Sequence, residues 1–76
     1  MREEMTNQAT PPKISLEAAR VNAGLIQEEA ARRLGITRLT LHKYETGKTQ
    51  PRAGMMEKME KLYGYPREWI RFTAEE

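Results

Sequence analysis

A chain of 76 residues has room for one domain with a small core, because so short a chain buries only about 60% of the surface that it would expose when unfolded. It has no cysteine, which excludes disulfides and thiolate metal sites, and no apolar run approaches the length of a transmembrane helix or a signal peptide. The net charge of +2 indicates no partner by itself, and we expect a soluble, cytoplasmic protein without a membrane partner.

Positive charge is concentrated between Arg32 and Arg52. The segment has one acidic residue, Glu45, and carries a charge of +5, so the rest of the chain sums to −3. A local basic stretch on a nearly balanced chain is typical of a surface that binds a polyanion. An ordinary solvated helix face is the alternative that charge alone leaves open.

The first predicted elements are an arm and a helix. Residues 1–13 lack apolar periodicity and contain Pro11 and Pro12, which cannot continue a helix, so we predict a flexible N-terminal arm. Ser15 is expected to cap a first helix, which ends at Gly24 because glycine adopts the left-handed conformation without steric cost. The inner face of this helix has helical spacing and comprises Leu16, Ala19, Arg20 and Ala23.

Two helices with a very short connection follow. The second is expected to begin at Gln27 and to stop at Gly35, and Thr37 is a good N-cap for a third that runs to Glu45 or Thr46. Helices joined by so short a turn cross closely, which predicts a helix-turn-helix. The wedge between them is filled by small or apolar side chains, namely Ala31, Leu34, Ile36, Leu41 and Tyr44.

The third helix then has a polar outward face. A helix with such a face fits a DNA major groove, which is about 12 Å wide. The residues expected on this face are Arg38, Leu39, His42, Lys43 and Thr46.

The end of the chain predicts two more helices and no strand. A fourth helix runs from about Ala53 to Tyr63 and stops at Gly64, and Pro66 suits the first turn of a short fifth helix that carries Trp69. The predicted fold is therefore all-α, a compact five-helix bundle. It occupies residues 14–72, with residues 73–76 as a short tail.

The pattern resembles the phage repressor and Cro type of helix-turn-helix, also called the xenobiotic-response-element-like family. The resemblance covers about residues 16–70 and rests on residues in the family's order with its gaps: Arg20, Gly24, Leu25, Gln27, Ala31, Leu34, Gly35, Thr37, Leu41, Glu45, Gly47, Lys48, Pro51 and Gly64. It implies a lambda repressor-like bundle, a dimer on a roughly palindromic operator, and a transcriptional regulator without catalysis or cofactor.

The resemblance also implies roles for single residues. Gln27 is similar to the family glutamine that holds a phosphate at the start of the second helix. Thr46 and Lys48 match the end of the recognition helix and the loop that clamp phosphates, and Arg52 resembles an arginine that some phage repressors direct towards the minor groove. The predicted DNA-binding residues are Gln27, Thr37, Arg38, Leu39, Thr40, His42, Lys43, Thr46, Lys48 and Arg52.

Two departures from the family affect contacts rather than fold. Ile26 lies where a hydroxyl N-cap is usual, and Leu39 is apolar where polar base-reading residues are common, although it can meet a thymine methyl group.

Arg20 and Glu45 match a buried pair that links the first and third helices, and a surface charge is the alternative for Glu45.

Aromatic residues are crowded at the end of the chain. Four of the five lie within the last fourteen residues, and helical spacing cannot bury all of them in so small a bundle. We therefore expect a dimer interface formed by Tyr65, Trp69 and Phe72, and a homodimer that binding to DNA can complete.

Two functions of different classes fit these patterns. The leading hypothesis is a repressor-like regulator that binds specific double-stranded DNA operators and reads the major groove with the helix 38–46. The alternative is an antitoxin or adaptor whose main partner is another protein, with DNA binding secondary. An enzyme or a metal site is the poorest interpretation, because His42 is the only histidine and no reactive constellation accompanies it.

Overall fold

The computed structural model describes residues 12–72, which form four α-helices and one pair of short strands. In chain order the elements are β1 (Ile14–Ser15), α1 (Leu16–Asn22), α2 (Gln27–Leu34), α3 (Arg38–Glu45), α4 (Ala53–Tyr63), a single 3-10 turn (Arg67–Trp69) and β2 (Ile70–Arg71). Most of the predicted arm and the whole predicted tail lie outside the described residues.

The helices begin and end at the predicted local signals. The Ser15 hydroxyl accepts a hydrogen bond from the Ala18 amide at 3.0 Å, which caps α1. The Thr37 hydroxyl accepts from the Thr40 amide at 3.1 Å and caps α3 in the same way. α2 begins at Gln27, and its N-cap residue Ile26 makes no capping hydrogen bond, as an apolar side chain predicts.

The turn between α2 and α3 depends on one glycine. Gly35 has φ +77°, in the left-handed region that side chains with a Cβ rarely adopt. The chain reverses there, and the Ile36 amide donates to the Ala31 carbonyl oxygen at 3.0 Å. α3 can therefore start at Arg38 and cross α2 closely, and these two helices make the most extensive contact between any two elements described.

Every helix contributes to one small core. Its buried side chains are Leu16, Ala19, Ala30, Ala31, Leu34, Leu41, Met59, Tyr63 and Ile70. Leu41 of α3 is fully buried, and burial of a leucine side chain stabilises the fold by about 1.5–3 kcal/mol. The exposed face of α3 is therefore fixed by the side chain that it buries.

The predicted fifth helix and the predicted absence of strands are wrong. After Pro66 the chain makes only a single 3-10 turn, and Ile70 then has the extended values φ −116° and ψ 132°. β2 pairs in parallel with β1, with Ile14 opposite Ile70 and Ser15 opposite Arg71. The extended conformation buries Ile70, and it lets the backbone amides and carbonyls of β2 pair with those of β1. A helix at this position would use its backbone groups for its own hydrogen bonds and could not pair with β1.

Two side-chain hydrogen bonds lie beside the pair of strands. The Arg71 guanidinium donates to the Lys13 carbonyl oxygen at 3.1 Å, and the Tyr65 hydroxyl donates to the Pro12 carbonyl oxygen at 3.3 Å. Across residues 12–72, no helix has the length and apolar character needed to cross a bilayer.

Candidate nucleic-acid interface

α3 presents a polar face to solvent. Leu41 is buried and Tyr44 is half-buried against the core, which turns the opposite side of the helix outward. Thr40 is half-buried, and its hydroxyl accepts a hydrogen bond from Thr37 at 3.0 Å. The five positions predicted for the outward face are exposed, namely Arg38, Leu39, His42, Lys43 and Thr46, and the N-cap Thr37 is exposed as well.

The basic stretch divides into paired and unpaired cations. Arg32 and Arg33 of α2 both donate to one carboxylate oxygen of Glu29, at 2.6 and 2.7 Å. The hydrogen bond from Arg32, followed by that from Arg33, lowers the pKa of Glu29 from 4.5 to about 2. These two arginines are thus partly neutralised by their own helix, and they contribute less to the field around α3 than the sequence suggests.

The remaining cations of this stretch lie on α3 and in the segment that joins it to α4. They have no acidic partner among the residues that the structure describes, and they are Arg38, Lys43, Lys48 and Arg52. All four are exposed. An exposed cation without an acidic partner is available to a phosphate or to a base edge.

The end of α3 leads directly into a tight turn. The Thr46 hydroxyl donates to the His42 carbonyl oxygen at 3.0 Å, and the Lys48 amide donates to the Lys43 carbonyl oxygen at 3.0 Å. Gly47, with φ +80°, permits this reversal. The turn places the backbone of Lys48 directly beyond the last turn of α3.

Arg20 and Glu45 form a buried ion pair between α1 and α3. Arg20 Nε donates to Glu45 Oε2 at 2.7 Å and Arg20 Nη2 to Glu45 Oε1 at 3.3 Å, with side chains that are 9% and 3% exposed. Arg20 Nη1 also donates to the Leu25 carbonyl oxygen at 2.8 Å. One guanidinium therefore joins α1, the loop before α2, and α3.

Gln27 extends this pair to the start of α3. Its Nε2 donates to Glu45 Oε1 at 2.9 Å, and its Oε1 accepts from Arg38 Nη1 at 3.4 Å. A carboxylate only accepts hydrogen bonds and a guanidinium only donates them, so the two neighbours determine which way the amide faces. We call Arg20, Glu45, Gln27 and Arg38 the polar network. Both polar atoms of the Gln27 side chain have partners within it, which the family resemblance does not imply.

An open cleft of about 450 Å³ lies where α1, the start of α2 and α3 meet. It contains the polar network and the outward edge of α3. Its lining residues are Glu17, Arg20, Ile26, Gln27, Arg38, His42, Glu45 and Thr46. Four of the predicted DNA-binding residues thus lie together here: Gln27, Arg38, His42 and Thr46. Lys48 and Arg52 are not among the cleft residues.

Sequence reasoning missed Glu17. Its carboxylate lies 3.8 Å from Arg20 Nη2 and lines the same cleft as Arg38. The signal was an acidic residue three positions before Arg20, which places the two on one side of α1.

The three aromatic residues predicted for a dimer interface are partly used inside the protomer. Tyr65 and Phe72 are half-buried and pack against the core. Trp69 is half-buried and meets the Tyr65 ring edge-on, with centroids 5.8 Å apart and an interplanar angle of 71°. Trp69 is the one of the three that does not pack against the core cluster.

In this helix-turn-helix the second helix has an exposed polar face, and the cations at its two ends have no acidic partner within residues 12–72. This is the architecture of a DNA-binding protein. The model of the helix-turn-helix family matches the chain over residues 16–70, most of its length. The chain belongs to this family, in its phage repressor and Cro type, as its motif spacing predicted. It is a DNA-binding transcription regulator in kind. No curated protein and no solved structure matches the sequence significantly.

Proposed function

We propose that the chain is a repressor-like regulator that binds specific sequences of double-stranded DNA with α3 in the major groove. The observation that carries this proposal is the contrast in the basic stretch. Arg32 and Arg33 on α2 are paired with Glu29, whereas the four cations on α3 and in the segment that follows it have no acidic partner within residues 12–72. The charge available to DNA is therefore concentrated at the helix that fits the groove.

The exposed residues of α3 suggest a division of tasks. Lys43 lies one turn beyond Leu39, and a lysine that reaches guanine O6 and N7 contributes about 1–3 kcal/mol against the wrong base. Leu39 offers an apolar surface to a thymine methyl group. Lys48, beyond the end of α3, is suited to a phosphate, which positions the protein without reading sequence.

A competition series tests this division. Operator sites are selected from random duplexes, and binding is then measured on all single base-pair variants of the selected site. Lys43→Ala should lose preference at one base pair in each half-site and leave non-specific binding nearly unchanged. Lys48→Ala should weaken all duplexes alike and reduce the slope of log K against log salt by about 0.9 for each bound protomer. Lys58→Ala, an exposed lysine on α4, is the matched control for loss of charge.

Two outcomes would contradict the proposal at different levels. If Lys43→Ala weakens every duplex equally, then Lys43 positions the protein, and His42, Leu39 and Thr40 remain as candidates for specificity. If selection from random duplexes yields no enriched sequence, then sequence-specific binding is excluded.

The operator-bound form is proposed to be a two-fold homodimer. One short recognition helix reads few base pairs, and two such helices on one side of a duplex lie about 34 Å apart. Trp69 is the best-placed aromatic residue for the joint, because Tyr65 and Phe72 already pack against the core. Sedimentation of the operator complex should give two chains per site for the wild type and a weaker, less cooperative complex for Trp69→Ala. A saturated complex with one chain and a non-palindromic footprint would exclude the dimer.

A further inference from the structure

We infer that Glu17 acts as a repulsive determinant of DNA affinity, a negative charge built into the DNA-facing cleft that lowers binding to phosphate. The inference rests on the proposed function and adds to it a residue that opposes binding. It assigns a role to the acidic side chain that the family resemblance left without one.

The position of Glu17 is the first argument. Its carboxylate lines the cleft together with Arg38, His42 and Thr46, which all lie along the outward side of α3. Its side chain is 64% exposed, so its charge faces solvent rather than the core. If α3 enters the groove, a phosphate that approaches this cleft also approaches Glu17.

The second argument is that Glu17 has little to neutralise it. Its only ion pair among the described residues is with Arg20, at 3.8 Å. That guanidinium is already engaged by Glu45 at 2.7 Å and by the Leu25 carbonyl oxygen at 2.8 Å. A cation that is shared in this way screens a second carboxylate only weakly, so most of the negative charge of Glu17 remains.

The charge balance of the cleft follows from these contacts. Arg20 and Glu45 cancel each other inside the cleft, and Glu17 then offsets Arg38, so the cleft is neutral while His42 is neutral. Without Glu17 the cleft would carry one positive charge. A neutral cleft does not attract phosphate, although the cleft lies beside the helix that is proposed to read bases.

The consequence is that the part of the DNA affinity that does not depend on sequence becomes smaller. Non-specific binding comes almost entirely from neutralised phosphates, whereas specific binding also depends on base contacts. A carboxylate in the phosphate path therefore reduces affinity for every duplex by a similar factor. Two unit charges about 8 Å apart in water interact strongly enough to change a dissociation constant by roughly twofold.

The test compares Glu17 with a matched acid elsewhere. Glu57 of α4 is 59% exposed, has one ion pair at 3.8 Å, with Lys61, and does not line the cleft. Replacement of Glu57 changes the total charge by the same amount as replacement of Glu17. The variants are Glu17→Gln, Glu17→Lys, Glu57→Gln and Glu57→Lys in the full chain, and their melting temperatures are compared first.

Affinity is measured on a selected operator and on an unrelated duplex over a range of salt. Glu17→Gln should bind both duplexes roughly twofold more tightly per protomer at low salt. Glu17→Lys should bind roughly fivefold more tightly per protomer. The slope of log K against log salt should be steeper by about 0.9 for each bound protomer, because a lysine there meets a phosphate. Both gains should vanish near 1 M salt, where the Debye length is about 3 Å. The Glu57 variants should change affinity much less.

The outcomes separate this inference from the proposed function. If the wild type binds the operator and the Glu17 and Glu57 variants give equal changes, the effect is one of total charge and the inference is wrong. If Glu17→Gln binds either duplex more weakly than the wild type, Glu17 contributes favourably to binding and the inference is wrong. If neither the wild type nor any variant binds duplex DNA at low salt, both the proposed function and this inference are overturned.

Discussion

Replacement of Arg20 by alanine should be the most destabilising change of a charged residue in this domain. It removes two hydrogen bonds to Glu45 and one to the Leu25 carbonyl oxygen, and it leaves a carboxylate that is 3% exposed without its ion-pair partner. Breaking a buried pair in this way costs about 3–5 kcal/mol. We expect the lower end, about 3 kcal/mol, because Gln27 still donates to Glu45 at 2.9 Å and the adjoining cleft admits water.

The loss should be visible in both thermal and urea unfolding followed by circular dichroism. For a domain of this size, about 3 kcal/mol corresponds to a fall in Tm of roughly 12–24 °C. Arg33→Ala is the control, since that exposed arginine also pairs with a glutamate, and its Tm should remain close to that of the wild type. The double variant Arg20→Ala/Glu45→Ala removes the unpaired charge and should be more stable than the sum of the single losses predicts. Equal melting temperatures for Arg20→Ala and Arg33→Ala would refute the reasoning.

Three further predictions follow from single contacts. Gln27→Ala and Arg38→Ala should alter binding in the same way across the competition series, and the double variant should be no worse than Arg38→Ala, because Gln27 accepts a hydrogen bond from that guanidinium. Burial raises the pKa of Tyr63 to about 12, and its buried hydroxyl has no partner in the described residues. Tyr63→Phe should therefore be as stable as the wild type or more stable in urea. It should also lack the loss of stability that the wild type shows as pH rises from 10 to 12, where the unfolded chain ionises this tyrosine before the folded protein does. The hydrogen bond from Arg32 keeps the pKa of Glu29 near 2. The stability that the ionised Glu29 contributes is therefore present above pH 4.5 and is lost as pH falls towards 2. Melting curves of Glu29→Gln should lack that part of the pH dependence.

The helix boundaries could be predicted from sequence because the signals that set them are local. Ser15 and Thr37 cap helices through amides three residues away, and Gly35 and Gly64 stop helices through their own backbone conformation. None of these signals requires knowledge of a distant part of the chain. The family match then tests the order and spacing of the same residues, and it covers residues 16–70.

The strand pair could not be predicted in this way. β1 and β2 have two residues each, too few for an alternating pattern, and they come from opposite ends of the domain. Only the packed helices bring Ile14 and Ile70 together. Pro66 fits a helix start as well as an isolated 3-10 turn, so the local signal was the same for the predicted helix and for the structure that forms.

The site shows the same limit at the level of side chains. The exposed face of α3 followed from helical spacing, but the direction of the Gln27 amide depends on Glu45, eighteen residues further along the chain. The Glu17 carboxylate shares a cleft with Arg38 only because α1 crosses beside α3. Spacing predicts which residues a helix exposes, whereas the crossing of the helices decides which charges meet.

These contacts tie the stability of the domain to its recognition surface. Glu45 is the link, because it accepts hydrogen bonds from Arg20, which holds α1 against α3, and from Gln27, which holds Arg38 at the start of α3. A buried pair of this kind is weak evidence for added stability, since well-packed apolar residues often stabilise as much. It does, however, orient two further polar groups, which apolar residues cannot do. A variant that replaces the pair with apolar side chains should therefore keep the fold and still bind DNA with altered base preference, because the core would be filled while Gln27 would lose the acceptor that directs its amide.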